Sequence, residues 1–474
     1  TTEIYTLSLH DALPIYDITP GWSVSLRERL QQEDQPRAGF LDGRWPGSRL
    51  RLLQRLRVDI GRSFSTAVLA EKDPGEAAWN DHMAGYAELR DAGILRHAVI
   101  GDFTVLAGQG LVFCQRFGLA KGGEAVRVDR TGSLLSPSAS ATEGYGARGA
   151  GVLLGSDNLD LMLFYSSRGR DATLAAERGT AGACAVDGLH RSESERARRG
   201  SVREQMAGAH AAMRLSLAGG VLETGCSAQG ARYSVPSEPR TPFGFRGDEA
   251  WVLGGDLGWS GDGLRLFGEA ALAHTFVPAF IAGLEARLTE RAGMALVLRR
   301  YHERFIALQG GAFGERGENA NEEGAYLGLR LRPLPRLRLN AWMDIYRFPN
   351  RTYLVHLPSS GVEGMVTAEY AIDPATALRL RILQTGKDQT VAATDAAGRD
   401  IRPIARRLQR SLRVELSREA ASGTRLRLRA EYVRTDWDAW LAGGHGLLLS
   451  ADLRPRPRPG LVLLGRLTAY GTDS

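Results

Sequence analysis

Lysine is almost missing from this 474-residue chain: Lys72, Lys121 and Lys387 are the only three, so arginine supplies nearly all of its 60 basic residues. Cysteine is equally sparse. Cys114, Cys184 and Cys226 are odd in number and show no CxxC spacing, which argues against both a disulfide framework and a thiolate metal site. There is also no apolar run of 18 residues or more, and the mean hydropathy is −0.21. A helical membrane protein is thereby excluded, and any membrane span has to be built from β-strands.

What is present points the same way. From Ser48 onward the period is two: Leu50, Leu52, Leu56, Val58 and Ile60 share one face, and Arg49, Arg51, Arg55, Arg57 and Asp59 the other. Only a β-strand sorts residues like this. The stripe returns at Leu337–Ile345, Leu378–Ile382, Leu412–Leu416 and Leu426–Tyr432, each time with arginine on the polar side. Weaker alternating windows and turn signals such as Asp73-Pro74-Gly75, Gly261-Asp262-Gly263 and Ala421-Ser422-Gly423 separate the rest. No blade-length repeat is visible, so a propeller does not fit. Many one-sided strands of bilayer-crossing length predict an all-β fold, a large transmembrane antiparallel β-barrel of roughly 18–24 strands with an apolar exterior and a polar lumen. Aromatic residues near strand ends (Tyr346, Phe348 and Tyr353; Tyr432, Trp437 and Trp440) are expected to form interfacial girdles.

Three stretches break the alternation. Residues 101–147 are rich in glycine and small polar residues, and are expected to be a plug or a long loop. Residues 188–204 carry enough charge for a helical or disordered loop. Residues 311–324 form an acidic loop in which Glu315, Glu318, Asn321, Glu322 and Glu323 could draw calcium, although a solvated extracellular loop is the favoured reading. At the start, TTEIYTLSLHDALPI (1–15) resembles translated sequencing-adapter read-through and precedes no export signal. The expectation is an artefactual tail, with the native chain continuing upstream of Tyr16 and the barrel occupying 16–474; the YGTDS end is expected to be cut as well.

Catalytic and cofactor motifs are weak. Gly118–Gly122 misses the GxxxxGK[ST] spacing that cradles a phosphate, and Tyr301-His302-Glu303-Arg304 lacks the second histidine of HExxH. No GxSxG elbow marks a nucleophile. The reading is a non-enzymatic barrel without cofactor or metal, acting as a channel, a binding platform or an assembly component, with a DNA-uptake or DNA-surface component using an arginine-rich lumen and a barrel hydrolase as the alternatives. The specific feature is the arginine face. If Arg49, Arg51, Arg55, Arg57, Arg379, Arg381, Arg425, Arg427 and Arg429 line the lumen with Lys121, they favour anions, including nucleic-acid phosphates. If neighbouring carboxylates such as Asp59, Glu415 and Glu431 neutralise them, they form a rigid ladder instead.

The segments VIGDFTVLAGQGLVF (99–113), FGLAKG (117–122), GLHRSESE (188–195), AFGERGENANEEGAYLGLRLRP (312–333) and DIYRFP (344–349) resemble the barrel part of uncharacterised outer-membrane proteins of the Bacteroidota and relatives. Those proteins often carry an upstream helix-hairpin-helix segment of the kind found in competence-type DNA-binding proteins. The resemblance covers most of 16–474 and implies a bacterial outer-membrane location, contact with outer-membrane lipid, and a role in handling DNA or another anionic polymer. It assigns no site residues, and the helix-hairpin-helix segment itself is not in this sequence.

Overall fold

The computed structural model describes residues 7–12, 16–19, 21–114, 121–130, 132–239, 243–395, 397–438, 441–456 and 463–473. Among the described residues, twenty-one strands of eight residues or more follow one another. They are β1 (Trp22–Gln32), β2 (Leu50–Ile60), β3 (Phe64–Lys72), β4 (His82–Ala92), β5 (Leu95–Ala107), β6 (Ala147–Gly155) and β7 (Leu159–Arg170). Then come β8 (Val202–Leu217), β9 (Gly220–Ser237), β10 (Gly247–Gly261), β11 (Leu264–Ala273), β12 (Pro278–Thr289), β13 (Ala292–Tyr301) and β14 (Glu322–Leu334). The last are β15 (Leu337–Phe348), β16 (Ser359–Asp373), β17 (Thr376–Thr390), β18 (Ile404–Glu419), β19 (Arg425–Trp437), β20 (Gly444–Arg454) and β21 (Gly465–Thr472). Each is antiparallel to the next, from β1–β2 through β20–β21. Beyond β1, two short segments, Leu7–Ala12 and Tyr16–Thr19, pair with its free edge.

The sheet is curled. Residues from β5, β7, β8, β10, β11, β13, β14 and β15, among them Phe103, Phe164, Met206, Val252, Phe267, Val297, Tyr326 and Trp342, join a single buried cluster with Leu111, Val112 and Phe113. With strands about 4.8 Å apart, a flat sheet could not bring them together. The result is a large antiparallel β-barrel wrapped around the segment between β5 and β6; among the described residues β21 and β1 share no ladder.

Alternation decides which side each residue takes. Leu257, Leu298 and Ile382 point outward and remain 58%, 51% and 48% exposed, in company with outward leucine, valine and isoleucine on almost every strand. An apolar belt of this extent is stable only against lipid, and the barrel is therefore transmembrane. Its ends differ. Nine connections at one end run two to five residues (61–63, 93–94, 156–158, 218–219, 262–263, 290–291, 335–336, 374–375 and 420–424), whereas those at the other run from four residues to thirty-nine. Only 455–464 makes a longer link at the short-turn end.

Candidate functional site

From the long-loop end of β5 the described residues of 108–146 turn into the lumen. What holds them is a set of wall carboxylates aimed at their backbone. Glu269 on β11 accepts N–H groups of Gln109 (2.6 Å), Leu111 (3.0 Å) and Val112 (3.2 Å). Glu285 on β12 accepts those of Val128 (2.6 Å) and Asp129 (2.7 Å). Irregular backbone away from bulk water must find partners, and these inward carboxylates supply them. Farther round, the Tyr326 hydroxyl and the Trp342 indole N–H donate to the carbonyls of Ala125 (2.8 Å) and Gly122 (3.0 Å). The approach is close enough that a Cβ at Gly328 would lie 1.8 Å from the Ala125 oxygen. On the opposite arc, Arg55 and His82 donate to the carbonyls of Ala139 and Ser140.

Near the long-loop end a buried ionic cage closes over the segment. Lys121 Nζ meets Asp344 (2.5 Å), Glu315 (2.6 Å) and Glu363 (3.0 Å), and lies 4.8 Å from the centre of the Tyr346 ring. Lys387 reaches the same Glu315 and Glu363 at 2.5 and 2.7 Å. Beside them Arg299, with no exposed side-chain surface, binds Glu322 (2.6 Å) and Asp344 (2.8 Å). Buried charge is tolerable only when paired this completely. Asn319 completes the clamp by donating to the carbonyls of Gly110 and Leu111. The expected solvated loop at 311–324 is corrected in part: Glu315 is committed to the two lysines, Glu322 to Arg299 and Asn319 to the lumen segment, whereas Glu318 stays exposed beside Arg316 and Glu323 pairs with Arg300 and Arg347.

The inward arginines fall into two groups. Arg51 and Arg57 pair with Glu71 (2.7 Å) and Asp59 (2.8 Å), and Arg425 with Glu419 (2.7 Å). Arg49 precedes β2 and donates to the Asp34 carbonyl at 2.9 Å. From β15 to β21, by contrast, carboxylates are shared. Glu431 lies between Arg381 (2.9 Å) and Arg413 (2.6 Å), and Glu415 between Arg429 (3.1 Å) and Arg379 (3.8 Å). Glu369 sits between Arg379 (2.6 Å) and Arg338 (3.7 Å), and Asp452 between Arg466 (2.5 Å) and Arg427. On this arc the arginines form carboxylate ladders in which seven guanidiniums share four carboxylates.

At the long-loop mouth His190 stands between Asp81 (2.5 Å from Nδ1) and Asp171 (2.7 Å from Nε2). These two hydrogen bonds raise its pKa to about 10. Arg199 also binds Asp81 (2.8 Å), and Arg191 lies over Trp45 at 4.4 Å, so three loops meet here. Burial pushes nearby Glu143 up to about 8. Glu76, Asp81 and His190 have ligand atoms within 4.8 Å of one another, a spacing that suits a divalent cation. However, Glu76 already accepts the N–H groups of Asp73 (2.7 Å) and His190 (3.1 Å). The arrangement is satisfied as a loop fastening. The charged stretch behind it forms a short helix, Glu193–Arg198, opened by a Ser192/Glu195 capping box.

The girdle expectation needs two amendments. Tyr346 is 3% exposed and stacks edge-on with Phe348 at 5.6 Å, inside the lumen rather than at the lipid interface. Its neighbour Ile345 faces lipid, and period-two geometry then turns Tyr346 inward. Tyr432 does point outward, and Trp440 lies outside the described residues, as do 115–120 of the glycine-rich segment. Glu269, Glu285 and Arg299, the residues that fasten the lumen segment, carried no sequence signal beyond an inward position on a strand.

No protein-family model and no curated protein matches the chain. Among solved structures it is similar to the copper transporter OprC, with 10% identity and a TM-score of 0.37, covering 95% of this chain and 75% of that one. It is also similar to FpvA of P. aeruginosa, solved with a heterologous pyoverdine and iron (10%, 0.42, covering 96% and 64%). A third is OccAB3 of Acinetobacter baumannii (11%, 0.29, covering 67% and 94%).

Proposed function

We propose that the chain is a non-enzymatic outer-membrane channel that passes small anionic solutes along the arginine-lined arc of its lumen, beside the inserted segment. The observation that carries this reading is the contrast between the two arcs. Where 108–114 and 121–130 pack, inward residues such as Ala295, Val297 and Tyr326 are buried; on β17, β19 and β21 the inward Arg379, Arg427 and Arg466 keep 54%, 40% and 56% of their side-chain surface in contact with water. With seven guanidiniums to four carboxylates, that wet arc keeps a positive potential even though its charges are paired, and confined charge of one sign selects the opposite ion.

Planar-bilayer recording under a potassium chloride gradient tests it. The expected reversal potential has the sign of chloride preference, and neutralising Arg379 and Arg429 to glutamine should lower that preference several-fold. A non-conducting barrel, or one whose selectivity ignores both substitutions, would overturn the reading. The same surplus charge would draw nucleic-acid phosphates. Salt-dependent binding of duplex DNA that is lost on charge reversal at Arg425, Arg427 and Arg429 would therefore shift the cargo from small solute to polymer.

A further inference from the structure

The outer face of the wall has a depression in its apolar belt with charge at one end. Across six neighbouring strands, β10 to β15, register puts Gly255, Ala270, Phe280, Arg300, Glu323 and Arg347 in one transverse row. One row nearer the short turns come Leu257, Gly268, Ala282 and Leu298. Leu257 and Leu298 face outward, and period-two geometry puts both rows on the lipid side. Gly255, Gly268, Ala270 and Ala282 have little or no side chain, and between Leu257, Phe280 and Leu298 they leave an open slot of about 700 Å³. A Cβ at Gly255 would meet nothing closer than the Gly225 carbonyl at 3.8 Å.

At its β13–β15 end the slot runs into charge. Glu323 lies between two guanidiniums, 3.2 Å from Arg300 Nε and 2.6 Å from Arg347 Nη2, and the two arginine side chains keep 77% and 69% of their surface exposed. One carboxylate thus answers two arginines, and the cluster stays positive. β13 ends one residue beyond Arg300 and β15 one residue beyond Arg347, so the charge stands at the long-loop rim of the belt. Near the same end Trp251, outward like Leu253, meets Phe276 with ring centres 5.5 Å apart, the placing of an interfacial aromatic pair. The arginines are therefore at headgroup height, with the slot beside them at the level of the acyl chains. A second outward slot, on β6–β10 among Leu163, Ala207, Ala228 and Trp251, has no charged residue along it.

We propose that this slot is a binding site for an anionic lipid with a phosphate monoester headgroup, its phosphate held by Arg300 and Arg347 and one acyl chain laid over Gly255, Gly268 and Ala270. Guanidinium pairs well with phosphoryl oxygens, and each methylene taken into the slot adds apolar burial. Glu323 keeps the two guanidiniums side by side and leaves one positive charge for the lipid. Outer-membrane barrels carry their long loops outside, which makes the ligand a lipid of the outer leaflet. The site is on the exterior of the wall and does not depend on whether the lumen conducts.

Native mass spectrometry of the full-length, detergent-solubilised barrel titrated with dioleoyl phosphatidic acid tests this. Saturable binding is expected, with dioleoylglycerol, which lacks the phosphate, bound roughly tenfold more weakly or less. Arg300→Gln with Arg347→Gln should weaken phosphatidic acid by a similar factor. Gly255→Leu with Ala270→Leu fills the slot and should weaken it with both arginines in place. Excess inorganic phosphate should not displace the lipid; displacement would reduce the slot to a site for free anions and overturn the proposal. The double-glutamine variant should keep the parent's chloride preference, because both side chains are outside the lumen, and a shift in that preference would overturn their placement. Heat-modifiable migration on gels reports that each variant is folded. Equal binding of phosphatidic acid and dioleoylglycerol, or unchanged affinity in either double variant, also overturns it.

Discussion

Arg299 illustrates how much depends on single inward residues. Its guanidinium is wholly enclosed with Glu322 and Asp344, so replacing it with methionine leaves the buried Glu322 without its ion partner and Asp344 with Lys121 alone. A loss of about 3–5 kcal/mol is expected, read as a fall in the urea midpoint of the solubilised barrel; an unchanged midpoint would count against the cage. Tyr326→Phe removes only the hydroxyl that donates to Ala125 and is expected to cost about 1 kcal/mol. Such residues were only half legible. The alternation fixed that Arg299, Tyr326 and Asp344 face inward, since Leu298, Leu327 and Ile345 face out. It could not say that the inserted segment would meet them, because Tyr326 and its partner Ala125, for one, lie 201 residues apart along the chain.

Among the elements, the mouth loops are fastened by a few polar contacts, and the segment 108–146 by such contacts together with Leu111, Val112, Phe113, Val128 and Leu135 packed into the buried cluster. Glu269→Ala deletes three acceptor contacts to the segment at once. Single-channel conductance is expected to rise, and protease cleavage within 108–114 to become detectable; identical conductance would show that the segment is held elsewhere. The fastening at the mouth should respond to pH. His190 holds its proton to about 10, above its ordinary 6.5. Its contribution is therefore complete below pH 6.5 and fades as pH climbs towards 10. Glu143, with a pKa near 8 against an ordinary 4.5, acts in the same sense, because folding retains a proton that the free side chain would shed. Loop 171–201 should thus be cut faster in His190→Ala than in the parent protein at pH 6, with the difference vanishing near pH 10. The composition of 101–147 suggested a plug or long loop, yet 101–107 complete β5 and Leu135–Pro137 pairs with it; the density of charge in 188–204 suggested a helical or disordered loop, and Glu193–Arg198 is a short helix. Their docking was invisible, since it depends on backbone atoms meeting carboxylates from distant strands.

For the whole molecule, the barrel itself was the most legible feature. Roughly 18–24 strands were expected, and twenty-one long ones are found, because leucine-arginine alternation is a direct projection of the two environments. The sharing of carboxylates was hidden: Arg381 and Arg413 converge on Glu431 across β17, β18 and β19, a proximity set by strand register rather than by sequence spacing. At this scale the surplus of guanidiniums should be felt as a long-range effect. Raising salt from low to molar concentration is expected to erode chloride preference as screening shortens the reach of the wall, and a preference insensitive to salt would point to close coordination instead.

The way the inserted segment is fastened also sets an order of events in time. Residues 109–129 follow β5 in the chain, yet their anchors Glu269 and Glu285 are about 160 residues further on, on β11 and β12. The later part of the segment can already meet β2, β4 and β5, but its carboxylate anchors are missing until more than half of the strands exist, and such distant contacts are slow to form. Residues 109–112 and 128–129 are therefore expected to reach their final places only with the later strands. A barrel that completed its wall first would find its own contents left outside.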